Sequence, residues 1–318
     1  MVNRILVTEA MADCGMEWLR QNGYEVRYGR GIDPETLVED LQGCQGVITR
    51  LAEMTAEVLE KAPELRVVAR HGAGVDSVDV DYCRAHGIQV LRNVGTNSVA
   101  VAEFALTLML ACAKSLIPGR DMYRAGEFSK ARKTLEAHEL AGKTLGLLGM
   151  GHIGRIVAQI CGQGFGMRVL AFDPYADAAS APDCVTLVAD REQIFRESDF
   201  VSIHVPATAE TRNSVGAEAF SLMKPTAFLI NSARGAVVDE AALIEALQNG
   251  VIAGAGLDVT ALEPANAENP LFHMEQVILT PHCAGSTAEA KEKASMAAAK
   301  GCHAILQGLP VEAPAVLV

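Results

Sequence analysis

Three glycines, Gly149, Gly151 and Gly154, punctuate the stretch "LLGMGHIGRI". They follow an apolar run and open a helical one, the context in which G-x-G-x-x-G has a physical meaning. The first glycine makes a tight turn, the second lets backbone approach a pyrophosphate, and the third lets helix and strand pack closely. The amino end of the helix then offers unpaired N–H groups to an anion. Such a turn belongs at the carboxyl end of a strand in a parallel α/β sheet, usually the first strand of its domain. Here it lies almost halfway along a chain of 318 residues. A chain of that length is long for one hydrophobic core, so the residues before the turn are expected to form a domain of their own.

The pattern on both sides of the turn supports two α/β segments. Before it, "RILVTEA", "GVITR", "RVVAR" and "IQVLR" read as strands, with "PETLVEDLQ" and "TAEVLEKA" as helices between them. After it, "KTLGLLG", "RVLAFD", "FVSIHV", "AFLINS", "GAGLDV" and "QVILTPH" read as strands, and "HIGRIVAQICGQ" and "DEAALIEALQNG" as helices. Alternation of this kind implies right-handed βαβ units on parallel sheets. An apolar helix from about Asn97 to Ile117 leads from one segment to the other. Near the end, "AEAKEKASMAAAKGCHAILQG" reads as one amphipathic helix followed by a Pro-containing tail, a piece too small to stand alone.

Composition excludes several function classes. The formal net charge of −12 makes the chain a poor partner for a phosphate backbone or an anionic membrane, so neither nucleic acid nor membrane is expected as a partner. A small anion needs only a few gathered arginines. "VAVAEFALTLMLACA" is the most apolar stretch, but Glu103 interrupts it and Lys114 ends it, which suits a helix buried between domains or subunits better than a membrane span. The eight cysteines form no CxxC pair and sit mostly in apolar runs, as expected in a reducing cytoplasm. The amino end shows no secretory signal, and no regulatory domain is expected beyond the last helix.

The residue that selects the cofactor is Asp173, at the end of "RVLAFD" and about 20 positions after the glycine turn. A carboxylate there accepts hydrogen bonds from ribose hydroxyls and repels a 2′-phosphate, so NAD is expected rather than NADP. Three later strand ends carry the other chemistry: Arg234 in "INSARGAVVDE", Asp258 and Glu263 in "LDVTALEP", and His282 in "LTPHCAGST". An arginine fork binds carboxylate or carbonyl oxygen. A histidine exchanges the hydroxyl proton as hydride moves. A carboxylate beside it orients the ring and favours its charged form. That set suits a small 2-hydroxy or 2-keto acid. No metal site is expected, because neighbours such as His282 and Cys283 point apart on an extended segment.

At this point the sequence resembles the D-isomer-specific 2-hydroxyacid dehydrogenases, most closely the phosphoglycerate dehydrogenase branch. The resemblance covers nearly the whole chain, including "RHGAGVDSVDVD", "GTNSVAVAEFAL", "GKTLGLLGMGHIGR", "DFVSIHVPATAETR", "INSARGAVVDEAALIEAL", "GAGLDVTALEP" and "LTPHCAGST". It implies two Rossmann-like domains, a substrate domain of residues 1–98 and 289–318 with an NAD-binding domain of 99–288 inserted in it, and an active site in the cleft between them. It implies that Arg234 binds substrate, Glu263 orients and His282 is the acid/base. It places His152 and Ile153 at the pyrophosphate, and Val205 and Pro206 near a ribose. Ser232, Ala233, Asp258 and His282 to Gly285 fall along the nicotinamide end. Ala73 and Gly74 are implied to offer N–H groups to the substrate carboxylate, and Arg50 and Arg70 to hold a second anion at its far end. A homodimer is also implied.

The chain departs from the family pattern at His152, where an arginine is common, at Thr260 in "DVT", where an aromatic is common, and at Ser77 in "GVDS". None of these removes a proposed catalytic group. Two alternatives remain at this level: a glyoxylate or hydroxypyruvate reductase, and an NADH-sensing binding protein on the same fold.

Overall fold

The computed structural model describes residues 3–311. Most of the Pro-containing tail therefore lies outside the described residues. In chain order the elements are β1 (Arg4–Val7), α1 (Asp13–Gln21), β2 (Glu25–Tyr28), α2 (Pro34–Asp40), β3 (Gly46–Thr49), α3 (Ala56–Glu60), β4 (Val67–Arg70), α4 (Val80–Ala85) and β5 (Gln89–Arg92). Then come α5 (Ser98–Ala113), α6 (Leu116–Arg124), α7 (Phe128–Thr134), β6 (Thr144–Leu148), α8 (His152–Gln159), β7 (Arg168–Phe172), β8 (Val185–Leu187), α9 (Arg191–Glu197) and β9 (Phe200–Ile203). The last are α10 (Ala217–Leu222), β10 (Phe228–Asn231), α11 (Glu240–Gln248), β11 (Gly254–Leu257), β12 (Val277–Leu279) and α12 (Ala288–Gln307). The chain divides into two units, one of Met1–Asn97 with Ser286–Val318, the other of Ser98–Gly285.

The first unit is a five-stranded sheet in the order β2-β1-β3-β4-β5, with every pairing parallel. Its inner strands are continuous apolar runs because both faces are covered. Ile5, Val7, Ile48, Val67, Ala69 and Leu91 turn to one face, where α12 lays Ala298, Ala299, Cys302 and Leu306 on them. Leu6, Val47, Val68 and Val90 turn to the other face, under Leu37, Val58 and Cys83. Burying each large side chain is worth about 1.5–3 kcal/mol, which fixes the register of the strands. The last helix thus completes the core begun by the amino-terminal segment. Ser295 Oγ donates to Ala12 O at 2.6 Å, and Asn93 Nδ2 donates to Ala294 O at 2.7 Å.

The second unit is a seven-stranded parallel sheet, β12-β11-β10-β9-β6-β7-β8. The chain starts in the middle at β6, winds out to β8, then returns to the other side of β6 and winds out to β12. The order therefore reverses between β6 and β9, the place where doubly wound sheets bind ligands. Leu145, Leu147, Val169, Ala171, Phe200 and Ile230 pack against α5 and α8. Leu148, Leu170, Val201, Ile203, Leu229 and Leu257 pack on the opposite face, against Phe195, Phe220 and Leu243.

The connecting helix differs from the expectation of one element to Ile117. It ends at Ala113, Ser115 takes a left-handed turn with φ of 47°, and α6 sets off at 59° to α5. Among the described residues no single helix is long and apolar enough to cross a membrane. Two strands absent from the sequence reading, β2 and β8, lie at sheet edges. They are short and no residue in either is buried, so little hydrophobic pattern marks them.

Gly15 reports directly on the docking of α1 against α12. A Cβ there would lie 2.4 Å from Ser295 O, a backbone atom that cannot swing away. Replacing a helix glycine by alanine ordinarily stabilises by about 0.5–1 kcal/mol. Gly15→Ala is expected to destabilise instead, by about 1–3 kcal/mol, as overpacking does. Urea denaturation of the two proteins checks the sign.

Candidate active site

Parallel strands put all their carboxyl ends on one edge of the second sheet, and the candidate residues are spread along it. After β6, Gly149 has φ of 99°, and a Cβ on it would sit 2.7 Å from His204 O. A Cβ at Gly154 would sit 2.3 Å from Gly149 O, so the first turn of α8 rests on the glycine loop itself. Gly151 is different: a Cβ there would meet nothing within 4 Å. Its outward side is open, with His152 exposed next to it and Ile153 half-buried. After β7, Asp173 accepts from Met150 N at 2.8 Å and from Tyr175 N at 2.9 Å, which ties the glycine loop to the neighbouring strand. After β9, Val205 lies against Gly149, and Pro206 follows with its carbonyl accepting from Thr211 Oγ1 at 2.5 Å.

These features fit a dinucleotide. The open face at Gly151 is a backbone cradle for a pyrophosphate at the amino end of α8. Asp173 keeps lone pairs beyond its two backbone bonds. Ser232 Oγ and His204 Nδ1 are buried with no hydrogen-bond partner among the described residues, the condition of polar atoms whose partner is a ligand or water. Burial pushes His204 down to about 4, so its ring is neutral.

The candidate reacting groups gather further along the edge. After β10, Asn231 Oδ1 accepts from Ala233 N at 3.0 Å, and its Nδ2 donates to Arg234 O at 3.0 Å. This side chain, not singled out from sequence, shapes the turn that presents Arg234. Gly235 lets that turn touch the next loop: a Cβ there would fall 1.8 Å from Thr260 O. After β11 comes Asp258, 1% exposed. Its carboxylate accepts from Thr280 Oγ1 at 2.6 Å, Cys283 N at 2.9 Å and Ala284 N at 2.8 Å. Its carbonyl accepts from His282 N at 2.9 Å. Asp258 therefore builds the turn that holds His282, whose φ of 50° is left-handed. Gly285 follows that turn, half-buried. Thr280 and this scaffolding role of Asp258 were not visible in sequence, because a contact between two strand ends has no local pattern.

His282 Nδ1 lies 2.6 Å from Glu263 Oε2. That bond raises the imidazole pKa against the opposing effect of burial. Burial by itself would raise Glu263, but the bond to His282, the imidazolium charge and Thr260 N–H outweigh it and hold the carboxylate low. The positive charge of Arg234 acts on both. Glu240 steadies the same loop, accepting from Ala261 N at 2.8 Å and from Asn269 Nδ2 at 2.8 Å. Arg234, Glu263 and His282 are thus brought together. Among the described residues no three His, Cys, Asp or Glu side chains gather as a metal set.

A family model described as "D-isomer specific 2-hydroxyacid dehydrogenase, NAD binding domain" matches residues 106–284. The chain belongs to this family. Among its relatives, a D-3-phosphoglycerate dehydrogenase of Archaeoglobus fulgidus is 35% identical over 97% of this chain and 58% of its own length. A glyoxylate reductase of Thermococcus gammatolerans is 38% identical over 99% of this chain and 95% of its own. The chain therefore spans little more than half of the first dehydrogenase and nearly all of the second. The solved D-lactate dehydrogenase of Escherichia coli superposes with a TM-score of 0.85 at 31% identity, covering 99% of this chain and 100% of that one.

The remaining candidates lie in the first unit, at the carboxyl edge of its sheet. Arg50 follows β3, and its Nη2 is 3.4 Å from Ser286 Oγ. Arg70 ends β4 and donates from Nε to Gly74 O at 2.9 Å and from Nη1 to Thr49 O at 3.3 Å and to Arg50 O. Ala73 is exposed and Gly74 half-buried on the loop that follows.

Glu263→Gln removes the negative partner of His282 and is expected to lower the imidazole pKa. A histidine NMR titration of the two proteins reads the shift. A pKa unchanged or raised in the variant would show that the pair does not control the ring.

Proposed function

We propose that the protein is an NAD-dependent oxidoreductase that interconverts a small D-2-hydroxy acid and its 2-keto acid. The observation that carries this reading is the His282–Glu263 pair at 2.6 Å beside Arg234, on the same sheet edge as the glycine turn. Residues 99–288, nearly the same as the second unit, act as the NAD-binding domain. The sheet of the amino-terminal segment, completed by α12, acts as the substrate domain.

Arg234 holds the substrate carboxylate and steers the keto oxygen with a planar fork of donors. His282 gives its proton to that oxygen during reduction and takes it back during oxidation. Glu263 occupies Nδ1, which leaves Nε2 as the nitrogen for the substrate, and stabilises the charged ring. Bound NADH supplies the hydride to the keto carbon. Gly149, Gly151, His152, Ile153 and Gly154 hold the pyrophosphate, and Asp173 takes the adenosine ribose and disfavours a 2′-phosphate. Val205, Pro206, Ser232, Ala233, Asp258 and Gly285 line the rest of the cofactor. Ala73 and Gly74 bind carboxylate through backbone. Arg50, with the charge of Arg70 behind it, takes a second anionic group, so 3-phosphoglycerate or another dianionic 2-hydroxy acid is the favoured substrate.

A glyoxylate or hydroxypyruvate reductase is the second reading, favoured by the near full-length likeness to a glyoxylate reductase. A homodimer fits the apolar side chains left exposed on α5 to α7, Val99, Leu116, Tyr123 and Phe128, and sedimentation at the mass of two chains would support it. Eight free cysteines suit a reducing cytoplasm, and localisation of a tagged chain tests that reading.

The sign of the pH dependence follows from the raised His282 pKa. Reduction needs the charged ring, so its rate is expected to stay high above the ordinary histidine value and fall as pH rises through the raised one. Oxidation needs the neutral ring and rises over the same range. The direct test follows NADH and NADPH oxidation with 3-phosphohydroxypyruvate, hydroxypyruvate, glyoxylate, pyruvate, 2-oxoglutarate and sulfopyruvate. NADH should be preferred, and His282→Ala should lower kcat by about 10²–10⁴. A dianion preference supports the assignment of the second anion to Arg50 with Arg70 behind it; a monoanion preference supports the reductase. Turnover of none of them, with NADH still bound, overturns the reading.

A further inference from the structure

We infer that Glu9 is a positioning residue for substrate selection, holding the loop that presents Arg50. The inference rests on the proposal that Arg50 takes the substrate's second anionic group. Glu9 follows β1, and β1 lies next to β3 in the sheet, so both residues stand on its carboxyl edge. The Glu9 carboxylate accepts from three successive backbone N–H groups of the Arg50 loop. Oε2 takes Arg50 N at 3.0 Å, and Oε1 takes Ala52 N at 2.9 Å and also Leu51 N. Thr8 Oγ1 donates to the same carboxylate and also reaches Ile48 O at 3.3 Å.

Three consecutive N–H groups turned to one side form a concave anion site. Here the chain fills it with its own carboxylate. The N–H groups of the loop are thereby committed, while the Arg50 guanidinium, which meets Ser286 Oγ at 3.4 Å, keeps further donors for a ligand. Apolar burial anchors only one end of this loop, at Ala52, which is 1% exposed; Leu51, the middle residue, is 63% exposed and has no such anchor. The opposite side of the loop is held as well: Thr49 Oγ1 donates to Ala52 O at 3.1 Å, and Arg70 donates to the carbonyls of Thr49 and Arg50. The same guanidinium reaches Gly74 O, which links the Arg50 loop to the Ala73–Gly74 turn. Glu9 from one side and Arg70 from the other fix where Arg50 starts.

Hydrogen bonds to a charged group are among the stronger ones in proteins, and four of them converge here, three from the Arg50 loop and one from Thr8. Loss of Glu9 frees the loop, and the penalty falls on whatever substrate group depends on Arg50. The selective readout is the ratio of KM for 3-phosphohydroxypyruvate to KM for glyoxylate, which has no second anion. Glu9→Ala is expected to raise this ratio about tenfold while kcat changes far less, the pattern of lost binding rather than lost chemistry. Glu9→Gln, with one acceptor oxygen instead of two, should fall between. NADH binding, followed by fluorescence, confirms that each variant is folded at the cofactor end. Arg50→Ala sets the reference. If it raises the ratio and neither Glu9 variant does, or if Glu9 loss raises both KM values equally, the positioning role is wrong. If Arg50→Ala leaves the ratio unchanged, the reading of Arg50 fails, and the role of Glu9 fails with it.

Discussion

Parallel pairing is the constraint on which the rest depends. Every strand in each sheet runs the same way, so all carboxyl ends meet at one edge and all amino ends at the other. Parallel strands cannot be joined by tight hairpins, so each needs a crossover, and the crossovers cover both faces with helices. Water is then excluded from everything except the edges. Polar chemistry has only the loops in which to sit, and six strand ends of the larger sheet deliver Gly149, Asp173, Val205, Arg234, Asp258 and His282 to the same rim. The order reverses between β6 and β9, the place where doubly wound sheets bind ligands.

Within that rim, the most demanding element is the buried carboxylate of Asp258. A charge at 1% exposure is expensive unless hydrogen bonds meet it, and here a hydroxyl and two N–H groups do. Those bonds close the turn after β12 and support the left-handed backbone of His282, a conformation that a non-glycine residue leaves readily unless held. The imidazole is consequently fixed at its root by Asp258 and at its tip by Glu263. One carboxylate sets where the ring is, and the other sets how basic it is.

Much of this was legible in the sequence, for physical reasons that also explain the rest. The inner strands were clear because both of their faces are apolar. The edge strands β2 and β8 were not, because a half-wet strand such as "EVRY" carries no such signal. The glycine turn was clear because Gly149 and Gly154 have no alternative residue: one is left-handed and the other has a carbonyl where a Cβ would be. Arg234, Glu263 and His282 were found as unusual residues at strand ends. Their supports, Asn231, Thr280 and Glu240, were missed, since their partners lie in contacts that only the folded sheet creates. The break at Ser115 was missed for a related reason: "CAKSLI" has no proline or glycine at the bend.

A common device joins these supports. In a chain with a net charge of −12, the acids that shape the loops mostly meet backbone N–H groups rather than arginines: Glu9, Asp173, Glu240 and Asp258 all do so. The arginines mirror them. Arg70, Arg155 and Arg234 each donate to backbone carbonyls. Exposed ion pairs such as Arg84–Asp81 contribute on the order of 0–1 kcal/mol, because water competes for both partners. A charged side chain on a backbone group is worth about 1.5–3 kcal/mol, and it fixes the backbone rather than another mobile side chain. Loops at the carboxyl rim of a parallel sheet have few apolar anchors where their surfaces stay open to solvent or ligand. Charge spent on backbone gives them shape without filling the space they enclose.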